Sequence, residues 1–277
     1  MITSLSNPRI KNVVQLQEKG KVRLDKRCFV IEGDHLFTEV PKSRLREVYY
    51  VEARLKDLPV AAREKLMTLR ELKDLYIEEV SPEVMEKMSD TKTPQGILCV
   101  VSMEENFSAQ NGGTEGGFGT TPRQDAYEEP VLVLENLQDP GNVGTMIRTA
   151  EGAGFGTVLL SGGCVDLYSP KCVRATQGSL FRMNIRTGID PVEAISMLKD
   201  NGIRTYAAYL AGSVPYTEPD YTKPTAFVIG NEGNGLTQTT AEACDERIRI
   251  PMEGRLESLN AAVAAALCMY ECKRKRG

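Results

Sequence analysis

The chain has 277 residues, 41% hydrophobic and 26% charged, which is enough for two domains with ordinary buried cores. It holds no apolar run of membrane-spanning length and no N-terminal signal-peptide pattern. Seven cysteines without a C-x-x-C pair, and a single histidine (His35), argue against a metal site and for a soluble cytoplasmic protein with reduced thiols.

The net charge of −4 is unevenly spread. Residues 1–103 carry 18 basic and 16 acidic side chains, residues 104–129 one and six, and residues 130–277 fifteen and sixteen. Seven of the basic side chains fall within residues 1–27 (Arg9, Lys11, Lys19, Lys21, Arg23, Lys26 and Arg27), and another basic run is Lys273 to Arg276. Such patches suit phosphate contact, although lysine runs as often simply face water.

In chain order, Asn7-Pro8 opens a helix running to about Gln17, Cys28 to Ile31 reads as a strand and Gly33 to Val40 as a helix. Val48 to Val51 is a strand, Pro59 to Leu72 a helix, and Gly96 to Val101 a strand. From 104 to 129 the chain is rich in glycine and nearly devoid of apolar side chains, so it reads as a flexible linker with domain boundaries near 103 and 130.

Beyond it come strand Val131–Leu134, helix Asn142–Gly152, strand Val158–Leu160, helix Pro170–Thr176 and strand Phe181–Ile185. A helix from Pro191 to Asp200 follows, then strands Thr205–Tyr209 and Ala226–Ile229, a short helix from Thr239, strand Ile248–Ile250 and a last helix Ser258–Glu271. Alternation of this kind predicts an α/β fold with a mostly parallel sheet.

Three segments at strand ends carry chemistry. The first is Asn142-Val143-Gly144 with Arg148-Thr149-Ala150; the second is Gly230-Asn231-Glu232-Gly233-Asn234-Gly235; the third is Ile250-Pro251-Met252 leading to Ser258-Leu259-Asn260. Read alone, Asn142 caps a helix, Arg148 is solvated, the glycine-rich segment is a turn, and Ser258 is an N-cap with Asn260 in the first turn. Turn chemistry does not call for Glu232, however. The run Glu151-Gly152-Ala153-Gly154-Phe155-Gly156 is not a dinucleotide loop, because a helix precedes it and a strand follows.

In order and spacing, the three segments resemble the signature of the SpoU-type (TrmH-like) RNA ribose 2′-O-methyltransferases of the SPOUT superfamily. The resemblance covers roughly the last 150 residues, with a looser likeness of residues 1–103 to the family's N-terminal RNA substrate-binding domain. It implies a smaller N-terminal α/β RNA-binding domain, a linker over 104–129 and a trefoil-knotted methyltransferase domain over 130–277. By resemblance Arg148, Asn142, Glu232, Ser258 and Asn260 are catalytic, and Gly230, Ile250 and Leu259 bind S-adenosyl-L-methionine.

No metal is implied. Arginine is effectively always charged, so Arg148 is expected to bind a phosphate and stabilise a developing alkoxide rather than act as a base. The family likeness further implies an rRNA substrate, with tRNA as the alternative, and a homodimer joined through the last helix. A rival of another class is a non-catalytic RNA-binding or ribosome-assembly protein of the same fold; intact Arg148, Glu232, Ser258 and Asn260 argue against it.

Overall fold

The computed structural model describes residues 1–103, 129–255 and 258–277. By packing these form two units, one holding residues 1–103 with Tyr168–Phe181, the other 129–167 with 182–277. Apart from Glu129, the expected linker lies outside the described residues.

In the first unit, α1 (Pro8–Glu18) starts as expected, with Asn7 Oδ1 accepting from the Arg9 amide at 2.9 Å and Pro8 in the first turn. α2 (Gly20–Lys26) was not anticipated from the sequence; it is one short segment inside the basic stretch, and it ends at Arg27 in the left-handed conformation. Next come β1 (Cys28–Glu32), α3 (Asp34–Glu39), β2 (Leu45–Tyr50), α4 (Val60–Arg70), β3 (Tyr76–Glu79), α5 (Pro82–Met88) and β4 (Ile97–Ser102). The strands form one sheet in the order β1-β4-β2-β3, with β4 antiparallel to both neighbours.

β3 is absent from the sequence reading because its four residues are all half-buried and show no alternation. The Tyr168–Phe181 segment departs from the expectation that 130–277 forms one domain. Its rings explain the placement, for Tyr168 and Phe181 lie 4.6 and 6.5 Å from Phe29 of β1, centroid to centroid.

The N-terminal basic patch is partly spent within this unit. Arg9 pairs with Glu47 at 2.8 Å and stacks on Tyr76, while Arg23 caps α1 through the Leu16 and Gln17 carbonyls. Lys11, Lys19 and Lys21 remain exposed.

The second unit contains β5 (Val131–Leu134), α6 (Pro140–Ala153), β6 (Thr157–Ser161), β7 (Asn184–Ile189), α8 (Pro191–Asp200), β8 (Arg204–Ala208), β9 (Val214–Pro215), β10 (Thr225–Ile229), α9 (Gln238–Ala243), β11 (Glu246–Arg249) and α10 (Ala261–Arg276). α7 (Pro170–Thr176) is the helix assigned to the first unit. The sheet order is β7-β6-β5-β10-β8-β11-β9, and every pairing is parallel. β5 and β10 lie at its centre and are buried at every residue, which is why they read as unbroken apolar runs.

From β5 the chain builds outward through β6 and β7, then crosses to fill the other side with β8 to β11. The order therefore reverses between β5 and β10, and the crevice beyond their carboxyl ends is where sheets of this kind bind ligands.

Several boundaries differ from expectation, and β11 ends at Arg249, so Ile250 lies just past the strand rather than within it. α6 starts at Pro140, two residues early, because Asp139 Oδ1 caps it by accepting from the Asn142 amide at 2.8 Å. α10 starts at Ala261 with Asn260 as the cap, so neither Ser258 as N-cap nor Asn260 as first-turn residue is correct. β7 starts at Asn184 because Ser179–Phe181 forms a single 3-10 turn. Gly154, with φ +80°, closes α6 ahead of β6, as a helix-ending glycine should.

Candidate active site

The loop after β10 folds tightly on itself. Asn231 N donates to Gly235 O at 3.1 Å and Gly235 N returns to Asn231 O at 2.9 Å, while Asn231 Oδ1 accepts from the amides of Gly233 and Asn234. Gly235 has φ +69°, where L side chains are strained. Gly230 is required for a different reason: a Cβ there would sit 2.2 Å from both Gly235 C and Leu236 N. The close approach is thus made by the loop's own backbone.

This loop presents Glu232 to the start of α6. The carboxylate accepts from Gln138 N at 3.2 Å, Asp139 N at 3.3 Å and Asn142 Nδ2 at 3.0 Å. Burial pushes the Glu232 carboxyl up, but the hydrogen bond from Asn142 and those from the backbone amides of Glu232 itself, Gln138 and Asp139 outweigh it. The net shift is downward, so Glu232 is an anion and a weakened proton acceptor.

The chain of side chains continues to the last segment. Asn260 Oδ1 accepts from Ala262 N and Val263 N to cap α10, which leaves Asn260 Nδ2 to donate to Asn142 Oδ1 at 3.1 Å. Asn142 must then turn its own Nδ2 to Glu232. The cap on α10 therefore sets the orientation of both amides.

Beside this chain lies a cavity of about 510 Å³ bounded by the segments following β8, β10 and β11. Gly230, Ile250, Ser258 and Leu259 line it, as do Tyr209 and Met252. Its size is that of a small-molecule site with apolar walls and a few polar groups. The structure thus brings seven of the eight sequence-selected residues to one cavity and its adjoining hydrogen-bond chain.

Arg148 is the exception. It stands six residues beyond Asn142 on α6, about 9 Å along the axis and turned roughly 120° away. It is exposed and has no hydrogen-bond or ion-pair partner among the described residues. Sequence reading also missed Asp139, although Asp-Pro ahead of a helix is the usual sign of a cap and first-turn proline. Asn231, whose side chain shapes the loop and donates to Asn136 O at 2.8 Å, was hidden inside a glycine-rich run.

A second groove of about 610 Å³ runs between α6 and α10, with Asn142 and Asn260 at one end. Along it α10 presents Val263, Leu267 and Tyr270, which are 49%, 37% and 50% exposed. These positions fall on one helical face. The C-terminal basic run is tied down internally: Lys273 donates to Gly152 O, Lys275 to Thr217 O and Pro219 O, Arg276 to Lys223 O, and Arg274 pairs with Glu271. Among the described residues no three His, Cys, Asp or Glu side chains group as a metal ion requires, and no helix is long and apolar enough to cross a membrane.

The SpoU rRNA methylase family matches residues 129–270, the span that holds all eight residues selected from the sequence. The chain belongs to that family. Residues 7–99 match the MRM3-like substrate binding domain. The 23S rRNA (guanosine(2553)-2′-O)-methyltransferase RlmP of Bacillus subtilis (strain 168) is 32% identical over 98% of both chains.

Among solved structures, the AdoMet-bound rRNA methyltransferase from Sinorhizobium meliloti superposes with a TM-score of 0.80 at 29% identity, covering 99% of this chain and 97% of that one. The SpoU methyltransferase AviRb from Streptomyces viridochromogenes, in complex with AdoMet, gives a TM-score of 0.80 at 27% identity over 98% of both.

Proposed function

We propose that this chain transfers a methyl group from S-adenosylmethionine to a ribose 2′-oxygen of RNA in the cytoplasm, with 23S rRNA the favoured substrate. The observation that carries this reading is the hydrogen-bonded chain Glu232–Asn142–Asn260, which joins three distant segments beside a cavity of cofactor size. The apolar walls from Ile250 and Leu259 suit an adenosine, and the glycine-lined loop edge suits the polar remainder of the molecule. When bound, the cofactor supplies the methyl group as a sulfonium.

The residues then divide the work. Gly230, Ile250 and Leu259 hold the cofactor. Glu232 is an anchor that fixes Asn142, and Asn142 and Asn260 with Ser258 orient the ribose. Arg148 takes the phosphate next to the target and stabilises the developing alkoxide, a charge effect that needs no proton transfer from the guanidinium. Freedom from partners among the described residues is what such a role requires of it.

The same reading makes the protein a homodimer through the groove of α6 and α10. Exposed Val263, Leu267 and Tyr270 form an apolar strip open to water, and a two-fold contact would cover it with its own copy. Pairing there places RNA-contacting residues of one subunit near the cofactor of the other. α10 packs against α6 and β10, and in this reading the last stretch of chain passes through a loop to make a trefoil knot. The boundaries 1–103, 104–129 and 130–277 mark the RNA-binding, linking and catalytic parts, except that Tyr168–Phe181 packs with the first of them. Seven free cysteines accord with a reducing compartment.

Mapping 2′-O-methyl marks on rRNA and tRNA from cells with and without the protein tests the assignment. Loss of one ribose mark in 23S rRNA supports it; loss of a tRNA mark moves the substrate, and loss of none removes the activity.

A further inference from the structure

Glu135 follows β5 directly and is 4% exposed, yet among the described residues no lysine, arginine or histidine pairs with it. Its carboxylate instead accepts three hydrogen bonds from the segment that closes the Gly230–Leu236 loop. Thr237 N donates to Oε2 at 2.9 Å, and Thr237 Oγ1 and Thr240 Oγ1 donate to Oε1 at 2.9 and 2.7 Å. Thr237 Oγ1 also accepts from Thr240 N at 3.2 Å, so the grip is continuous with the cap of α9.

A buried carboxylate without a cation is costly, and packing alone would be served better by an apolar side chain. Its two oxygens do something an apolar side chain does not: they bind the far stem of the loop to the end of β5. The near stem is fixed by β10, which pairs with β5 along its length. Between the stems, Asn231 Nδ2 donates to the carbonyl of Asn136, the residue next to Glu135, held at φ +55°. The loop that carries Glu232 is therefore fastened on both sides to two consecutive residues, Glu135 and Asn136.

We infer that Glu135 is a positioning residue for the Gly230–Leu236 loop, holding Glu232 in register with Asn142 and closing one wall of the cofactor cavity. The role rests on the methyltransferase reading, in which that loop is the catalytic one. Charge is not what it needs; two polar atoms in place are. A glutamine of the same shape satisfies Thr237 N through its oxygen and lets the two hydroxyls rotate to accept.

The test compares wild type with Glu135→Ala, Glu135→Gln and the milder Thr240→Val in the full chain. Amide hydrogen exchange, S-adenosylmethionine affinity by calorimetry, and methyl transfer at saturating cofactor are read on protein that is folded at the assay temperature. In Glu135→Ala, exchange rises selectively over residues 230–240 while β5 and β10 stay protected. The cofactor Kd rises roughly tenfold or more, and the rate falls by a comparable factor.

Glu135→Gln restores all three readouts to within about threefold of wild type, and Thr240→Val shifts them in the same direction as alanine but less. If Glu135→Ala does not fold, Thr240→Val decides by the same selective exchange. A uniform rise in exchange across the unit, or a lower melting temperature with Kd and rate within about threefold of wild type, overturns the inference. A wild-type protein that binds no S-adenosylmethionine overturns the methyltransferase reading instead, and the exchange pattern then decides on Glu135 alone.

Discussion

Asn142 and Asn260 share a hydrogen bond of 3.1 Å across 118 residues of sequence. Because Asn260 spends its side-chain oxygen on the α10 cap, this contact transmits the position of the last helix to Asn142 and from there to Glu232. The site is thus a statement about helix caps as much as about catalytic groups. Asp139 caps α6 one turn from Asn142, and Asn260 caps α10.

Substituting Glu232 by glutamine replaces one acceptor oxygen with a donor where two amides and the Asn142 side chain all donate. Unmatched donors in a half-buried place cost about 1–3 kcal/mol, and methyl transfer is expected to fall by roughly tenfold or more. The stability difference from wild type depends on pH. The folded carboxyl is depressed below its ordinary value of 4.5. Its contribution is fully present above that value and is lost as pH falls through the folded pKa. Denaturant melts of both proteins across the acid range check this, with the gap closing only on the acid side.

Glycines of the same loop are predicted to respond differently. Gly230→Ala drives a Cβ to 2.2 Å from backbone atoms of Gly235 and Leu236, so the loop must open and cofactor binding weaken by about tenfold or more. Gly233→Ala meets only Asn231 Oδ1 at 3.5 Å, an ordinary contact, and should bind within about threefold of wild type. Calorimetric titration of both variants with S-adenosylmethionine makes the comparison.

Arg148→Ala removes an exposed side chain with no partner among the described residues. Melting temperature and cofactor affinity should be unchanged, while transfer falls by roughly a hundredfold, about 2.7 kcal/mol of barrier. Turnover within tenfold of wild type contradicts its assigned role.

How much of this was legible beforehand follows from residue chemistry. β5 and β10 were plain because buried parallel strands leave unbroken apolar runs. β3 and the two-residue β9 were invisible because neither has a patterned face. Glu232 stood out in a turn that had no local use for a carboxylate. Glu135 did not, since a lone acid after a strand reads as solvated until Thr237 and Thr240, a hundred residues on, are seen to meet it. Placement of Tyr168–Phe181 depended on rings meeting Phe29, a long-range fact that no local pattern encodes.

Leu267→Lys adds a charge to the apolar strip of α10 without entering the core, since Leu267 is 37% exposed. In the dimeric reading it yields a folded monomer with reduced activity, read by sedimentation velocity at micromolar concentration. A wild type that sediments as an active monomer removes the dimer altogether.

Most direct for the central claim is nucleoside analysis of 23S rRNA incubated with the purified protein and S-adenosylmethionine labelled in the methyl group. Label recovered in one 2′-O-methylnucleoside, and absent when Asn142→Ala replaces wild type, is the predicted result. Label in a methylated base, or none in any RNA offered, contradicts it.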